Sequence, residues 1–265
     1  MTLNLQLTGK TAVITGGSQG IGLATAHAFL REGASVAICA RNAQTLTQAL
    51  ETLEPLGKVF TMAVDATDPG ALDAFADAAA ATLGPISCWV NNVGASIARA
   101  KERYTPEEIA ATVAVCFNSA VYGCQTAFRH MKEHGGAIVN ISSLAARCGT
   151  AGRSTLYGPL KAAVCELSTM FAAEYAAYGI RVNAVMPGFT VTPAVARTIS
   201  QAELDDRVKD TLLRRPADTR EIAEPIVFLC SQGASYITAT SLEVSGGSSV
   251  VLNPAYSYEQ REKGR

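Results

Sequence analysis

Short apolar runs separated by glycine-bearing turns recur along the chain, and between them apolar residues return every three or four positions. Ala12-Val13-Ile14 is the first run, followed by the turn Thr15 to Gly22 and a helical pattern through Ile21, Ala24, Ala28 and Phe29. Ser35 to Cys39 is the second run, ending in Ala40-Arg41-Asn42, and Phe60 to Val64 is the third, ending in Asp65. Asp68 is placed to cap the alanine-rich helix that follows. Ile86 to Val90 leads into Asn91-Asn92-Val93-Gly94. A helix beginning near Pro106 carries Ile109, Val113, Phe117, Ala120 and Cys124 on one stripe, which is either core or a contact between subunits. Ala137 to Ile141 ends in Ser142-Ser143, and Arg181 to Val185 leads to Pro187-Gly188. A last helix, from about Arg220 to Cys230, precedes the run Ser241 to Val244. Strands alternating with helices this regularly predict an α/β fold: a doubly wound parallel sheet of about seven strands with helices on both faces. No break in composition divides residues 1–265, so a single domain is expected.

Composition narrows the function classes. A formal net charge of -1 gives no basic excess with which to wrap nucleic acid or to lie on an anionic membrane. Hydrophobic residues make up 48% of the chain, yet no apolar stretch approaches the ~20 residues needed to span a bilayer. Met1 to Lys10 lacks the basic and apolar regions of a secretory leader, so a cytoplasmic protein is expected. The seven cysteines form no Cys-x-x-Cys pair and the three histidines give no zinc spacing, so no metal site is expected. Cys148 is expected to fall close to the site described next.

The chemistry gathers at the predicted carboxyl ends of the strands, where open parallel sheets bind ligands. In the first turn Gly16, Ser18, Gln19, Gly20, Ile21 and Gly22 can bring backbone N–H groups to a pyrophosphate at the positive end of a helix. At the end of the second strand an acidic residue would bind a ribose 2′-hydroxyl, whereas an arginine suits a 2′-phosphate. Arg41 stands there, so NADP(H) is expected in preference to NAD(H), with NAD(H) still acceptable. Tyr157 and Lys161 are four apart, hence on one face of a helix, and a cation near a phenol favours the phenolate and moves its pKa toward neutrality. Pro159 lacks an N–H, so that helix must begin close to Tyr157.

Taken together, Thr15-Gly16-x-x-x-Gly20-Ile21-Gly22, Asn91-Asn92-Val93-Gly94, Asn118, Ser143, Tyr157-x-x-x-Lys161 and Pro187-Gly188 resemble the short-chain dehydrogenase/reductase family from about Leu7 to Gly247. The resemblance implies a Rossmann-type fold, a small-molecule carbonyl or alcohol substrate and a homo-oligomer, tetramer or dimer. It also implies roles. Tyr157 would be the general acid or base, Lys161 would hold the cofactor ribose and favour the phenolate, and Ser143 would bond the substrate oxygen. Asn118 would position a water in a proton relay to Lys161. Asp65 would meet the adenine, Asn92 would bind cofactor or stiffen its turn, and Gly94, Pro187 and Gly188 would line the cofactor cleft. Thr192 would contact the nicotinamide carboxamide, with Thr190 a competitor for that role.

Some residues depart from the family pattern. Val93 replaces an alanine, Ser245 replaces an aspartate, and the gap from Ser143 to Tyr157 is one residue longer than the family's usual one, which leaves Ser142 as a second candidate serine. Residues 190–215 are the expected substrate lid, with Phe189, Leu144, Cys148 and Ser96 as pocket walls. Arg147 and Arg153 would either recognise an anion or stay solvated. The tail, 253–265, would pack Tyr256 and Tyr258 on a neighbouring subunit or fray. The expected function is hydride transfer between NADP(H) and a carbonyl or secondary alcohol. One alternative is a 3-oxoacyl thioester reductase, with Arg99, Lys101, Arg103 and Arg129 docking an acidic carrier. Another is a non-catalytic cofactor-binding regulatory protein.

Overall fold

Seven parallel strands lie in the order β3-β2-β1-β4-β5-β6-β7. The structure, a computed structural model, describes residues 5–96, 102–149, 154–197 and 199–264. Its strands are β1 (Thr11–Thr15), β2 (Ser35–Ala40), β3 (Val59–Ala63), β4 (Ile86–Asn91), β5 (Gly136–Ile141), β6 (Ile180–Pro187) and β7 (Ser241–Val244). The helices are α1 (Gly20–Arg31), α2 (Ala43–Leu53), α3 (Pro69–Leu83), α4 (Pro106–Val113), α5 (Ser119–Met131), α6 (Tyr157–Tyr175), α7 (Pro193–Ala196), α8 (Gln201–Val208), α9 (Thr219–Cys230) and α10 (Tyr256–Glu262). Among the described residues no helix is long and apolar enough to cross a membrane.

Each strand feeds two cores, because successive side chains point to opposite faces. Ala12, Ile14, Val36 and Ile38 pack with Phe29 and Leu30 of α1, Leu46 of α2 and Ile222 and Ile226 of α9. Val13, Ala37 and Cys39 pack on the other face with Phe75 of α3, Met131 of α5 and Ala172 of α6. Burial on both faces explains why these strands read as continuous apolar runs and not as alternating ones. The connection order reverses between β1 and β4. Their carboxyl ends therefore splay helices to opposite faces and leave a crevice between them.

The helix predicted from Pro106 through Cys124 is interrupted. Residues Ala114–Asn118 form one wide π-helical turn between α4 and α5. The extra residue shifts the stripe, so Ile109 is exposed, Val113 and Phe117 are half-buried, and Ala120 and Cys124 are core. At α5, Gly123 takes the only side chain its position allows, since an added Cβ would coincide with Asn91 Oδ1 on β4. Asn91 in turn accepts from Trp89 Nε1 (2.7 Å) and donates to Asn140 Oδ1 (2.8 Å), a buried polar link across β4 and β5.

Candidate active site

The turn after β1 is shaped by glycine. Gly16 and Gly20 have φ of +66° and +57°, and an added Cβ on Gly22 would overlap the Gly16 carbonyl. The N-cap residue of α1, Gln19, makes no side-chain capping bond, and the first turn carries no acidic residue. The free N–H groups and the helix dipole at this end favour an anion. This cradle fits a dinucleotide pyrophosphate.

Neighbouring elements hold the cradle. Asn92 donates from Nδ2 to the carbonyls of Thr15 (3.1 Å) and Gly16 (3.0 Å), and its backbone N–H donates to Thr15 Oγ1 (3.1 Å). Of the two expectations for Asn92, the side chain is committed to stiffening the turn. Gly17 N–H donates to the Cys39 carbonyl (3.1 Å), and Thr45 of α2 donates to Ser18 Oγ (3.0 Å). The glycine turn is thereby tied to the end of β2, where Arg41 is exposed beside the cap residue Asn42. Asp65 is exposed past β3, and its carboxylate accepts from the N–H and hydroxyl of Thr67.

Across the crevice, α6 begins at Tyr157, as Pro159 requires. Gly158 lets this first turn sit against the 144–146 turn, where an added Cβ would stand 2.8 Å from the Ala145 carbonyl. That approach sets Tyr157 beside Ser143, whose hydroxyl is near enough to favour the phenolate. Ser143 Oγ also accepts from Ala145 N–H (3.1 Å). Ser142 faces inward: its buried hydroxyl donates to the Lys161 carbonyl (2.6 Å) and accepts from Cys165 Sγ (3.2 Å). The long gap to Tyr157 is therefore taken up without moving Ser142 into the crevice.

Lys161 is 2% exposed, and its ammonium donates to the Ile141 carbonyl (2.8 Å). Its Nζ lies 5.8 Å from the Tyr157 ring centre. Gly94 makes room for it, because an added Cβ there would collide with Nζ. Burial lowers the Lys161 pKa to about 8. The Tyr157 pKa, expected to fall, is raised, chiefly by burial and then by the nearby Cys116 thiol; the Ser143 hydroxyl opposes this. The correction has a simple cause. Desolvation penalises the phenolate, and the lysine ammonium is engaged by the Ile141 carbonyl.

Cys116 is the residue that sequence reasoning missed. It lies in the π turn, fully buried, donates to the Ala95 carbonyl (3.1 Å), and is near enough to act on both Tyr157 and Lys161. Cys148, expected close to the site, is half-buried just past the 144–146 turn. The sequence pattern does not announce the π turn that holds Cys116. Asn118 closes the same turn and is half-buried.

At the end of β6, Pro187 is the last strand residue, and Gly188 packs so closely on Ser245 that an added Cβ would meet its Cα at 2.6 Å. The two threonines separate here. Thr190 is buried, donating to the Gly188 carbonyl (3.1 Å). Thr192 caps α7, and its methyl group stands 3.4 Å from where a Gly20 Cβ would be, across the mouth of the glycine turn. Arg147 is paired with Glu243 (3.0 Å) and Arg129 with Asp77 (2.8 Å) and Asp73 (3.4 Å). Arg99, Lys101 and Arg153 lie outside the described residues.

A pyrophosphate-type cradle facing a Ser/Tyr/Lys cluster across one crevice defines a dinucleotide-dependent class of α/β protein. Comparison with known proteins agrees. Residues 16–249 match a family model described as enoyl-(acyl carrier protein) reductase. The chain is 32% identical to the 3-oxoacyl-[acyl-carrier-protein] reductase FabG of Chlamydia pneumoniae, over 92% of this chain and 99% of that one. A 7α-hydroxysteroid dehydrogenase solved with NADH and 7-oxo glycochenodeoxycholic acid superposes with a TM-score of 0.88 at 32% identity, covering 94% of this chain and 98% of that one. The L-sorbose reductase of Gluconobacter frateurii, solved with NADPH and L-sorbose, superposes with a TM-score of 0.87 at 29% identity, covering 94% and 100%. The chain belongs to the short-chain dehydrogenase/reductase family, whose members are oxidoreductases of hydroxyl and carbonyl substrates using nicotinamide cofactors.

Proposed function

We propose that this protein interconverts a small-molecule carbonyl and its secondary alcohol with NADP(H). The observation that carries the reading is the buried Lys161 ammonium beside the Tyr157 ring, with Ser143 next to the phenol, facing an uncapped helix end across one crevice. The reduced nicotinamide, when bound, supplies the hydride. Tyr157 gives its proton to the carbonyl oxygen, and Ser143 donates a hydrogen bond to that oxygen as negative charge develops on it. A phenol whose pKa is raised by burial is held in its protonated, donating form, which suits the reductive direction. Gly16, Ser18, Gln19, Gly20, Ile21 and Gly22 cradle the pyrophosphate, Asn92 and Gly94 shape its edge, and Asp65 meets the adenine. Pro187, Gly188 and Thr192 line the nicotinamide end; Thr190, buried and satisfied, supports that wall from behind. Lys161 holds the ribose and receives protons through a water on Asn118.

Arg41 supports NADP(H), because it is exposed at the end of β2, where the sequence has an arginine in place of an acidic residue. The 190–215 segment acts as the lid, the protein is a single domain, and the exposed Ile109 beside half-buried Val113 and Phe117 suits a homo-oligomer. A 3-oxoacyl thioester is a second substrate class, favoured by the FabG relative. The engagement of Arg129 by two aspartates removes one of the cations that would dock its carrier.

The test is NADPH oxidation against ketones, sugar acids and 3-oxoacyl thioesters, with Tyr157→Phe as the control. Loss of about 10³-fold or more in kcat, with NADPH affinity kept, is expected for the variant. Turnover that survives the substitution rejects the assignment, and binding of NADPH without any wild-type turnover favours a regulatory protein.

A further inference from the structure

The C-terminal segment, expected either to reach a neighbour or to fray, instead lies on its own chain. Tyr258 of α10 donates its hydroxyl to the Leu212 carbonyl (2.7 Å), and the Arg214 guanidinium stacks over the Tyr258 ring at 5.0 Å. Both partners belong to the stretch just past α8. Arg214 has a φ of +53°, a conformation that L-residues avoid because Cβ crowds the carbonyl. Its guanidinium is held twice, by the tyrosine ring and by a bond to the Lys209 carbonyl (2.6 Å). Leu213 N–H donates to the Gly246 carbonyl (3.1 Å), which joins the same stretch to the turn after β7. In the last turn of α8, next to this stretch, Arg207 stacks over Phe189 at 5.2 Å, the residue that follows Gly188 at the site.

We propose that the tail is an internal strap, with Tyr258 and Arg214 as positioning residues that fix where 201–214 sits and so how Arg207 and Phe189 meet the substrate. This rests on the reading of that segment as the substrate lid. The physical case is a strained turn pinned from outside. A left-handed arginine persists where its surroundings over-determine it, and here the surroundings are the tail. Without Tyr258 the arginine loses its stacking partner, the backbone relaxes toward φ < 0, and the bond from Leu213 to Gly246 loosens. The link then runs from Arg214 through its bond to Lys209 to Arg207, in the last turn of α8, over Phe189.

The experiment uses the full-length protein with Tyr258→Ala, Tyr258→Phe and Arg214→Gly. In Tyr258→Ala, amide exchange over 209–214 is expected to quicken about tenfold. The KM for the carbonyl substrate should rise about fivefold, with kcat and NADPH affinity within about twofold of wild type. Tyr258→Phe keeps the stack and loses only the bond to Leu212, so it should fall between the two. Arg214→Gly removes the stack but also the strain, since glycine adopts φ > 0 freely, so its exchange should quicken less than that of Tyr258→Ala. Unchanged exchange in Tyr258→Ala overturns the strap. Faster exchange with an unchanged KM overturns its role in substrate placement. Should wild type turn over no carbonyl, the proposed activity has failed, whereas exchange still decides whether the tail holds the segment.

Discussion

At the residue scale, the site divides into side chains legible in the sequence and side chains whose partners are not. Tyr157, Lys161 and the glycines of the first turn are fixed by local geometry: four-residue spacing on a helix, and φ > 0 at Gly16 and Gly20. The direction of the Tyr157 pKa was not legible. It depends on how deeply the phenol is buried and on a thiol 41 positions upstream in sequence, Cys116. The residue whose role is most cleanly separable from folding is Arg41, exposed and remote from the core. Arg41→Asp should reverse the cofactor preference, weakening NADPH binding about tenfold or more and leaving NADH within a few-fold. Fluorescence titration of both cofactors checks this, and an unchanged ratio means the 2′-phosphate is read elsewhere.

At the scale of elements, the strands follow their apolar runs to within a residue or two, since burial on both faces leaves nothing else for such runs to do. The short helices α7, α8 and α10 and the π turn were not foreseen. The first three carry weak apolar periodicity, and a π turn has no pattern of its own. The packing of α5 on β4 is a second thing that sequence does not announce. Gly123 is a poor helix former in the middle of a helix, and its reason is Asn91, which occupies the space a Cβ would need. Gly123→Ala should therefore destabilise the protein by about 3 kcal/mol, despite the better helix propensity of alanine, because the Trp89–Asn91–Asn140 link must shift. A urea midpoint that is unchanged or raised would mean the helix can move away at little cost.

For the molecule as a whole, the buried lysine makes stability depend on pH in a known sense. The native Lys161 pKa of about 8 lies below its ordinary 10.5, so between these values the unfolded chain keeps a proton that the native state has lost. Stability from this group is thus present above the higher value and lost as pH falls through the lower one. The melting temperature of wild type relative to Lys161→Met should rise from pH 8 toward pH 10 in the cofactor-free protein and stay level below pH 8. A difference that is flat across the window would place the ammonium in water. Sequence alone determined the sheet, the order of motifs along it and the end of the strands at which they fall, because hydrophobic period and backbone freedom are local properties. Only the tertiary structure decided which serine faces the tyrosine, where the lysine proton points and what the tail touches. Those outcomes depend on close approaches between segments far apart in the chain: Gly158 on Ala145, Gly94 on Lys161, and Tyr258 on Leu212.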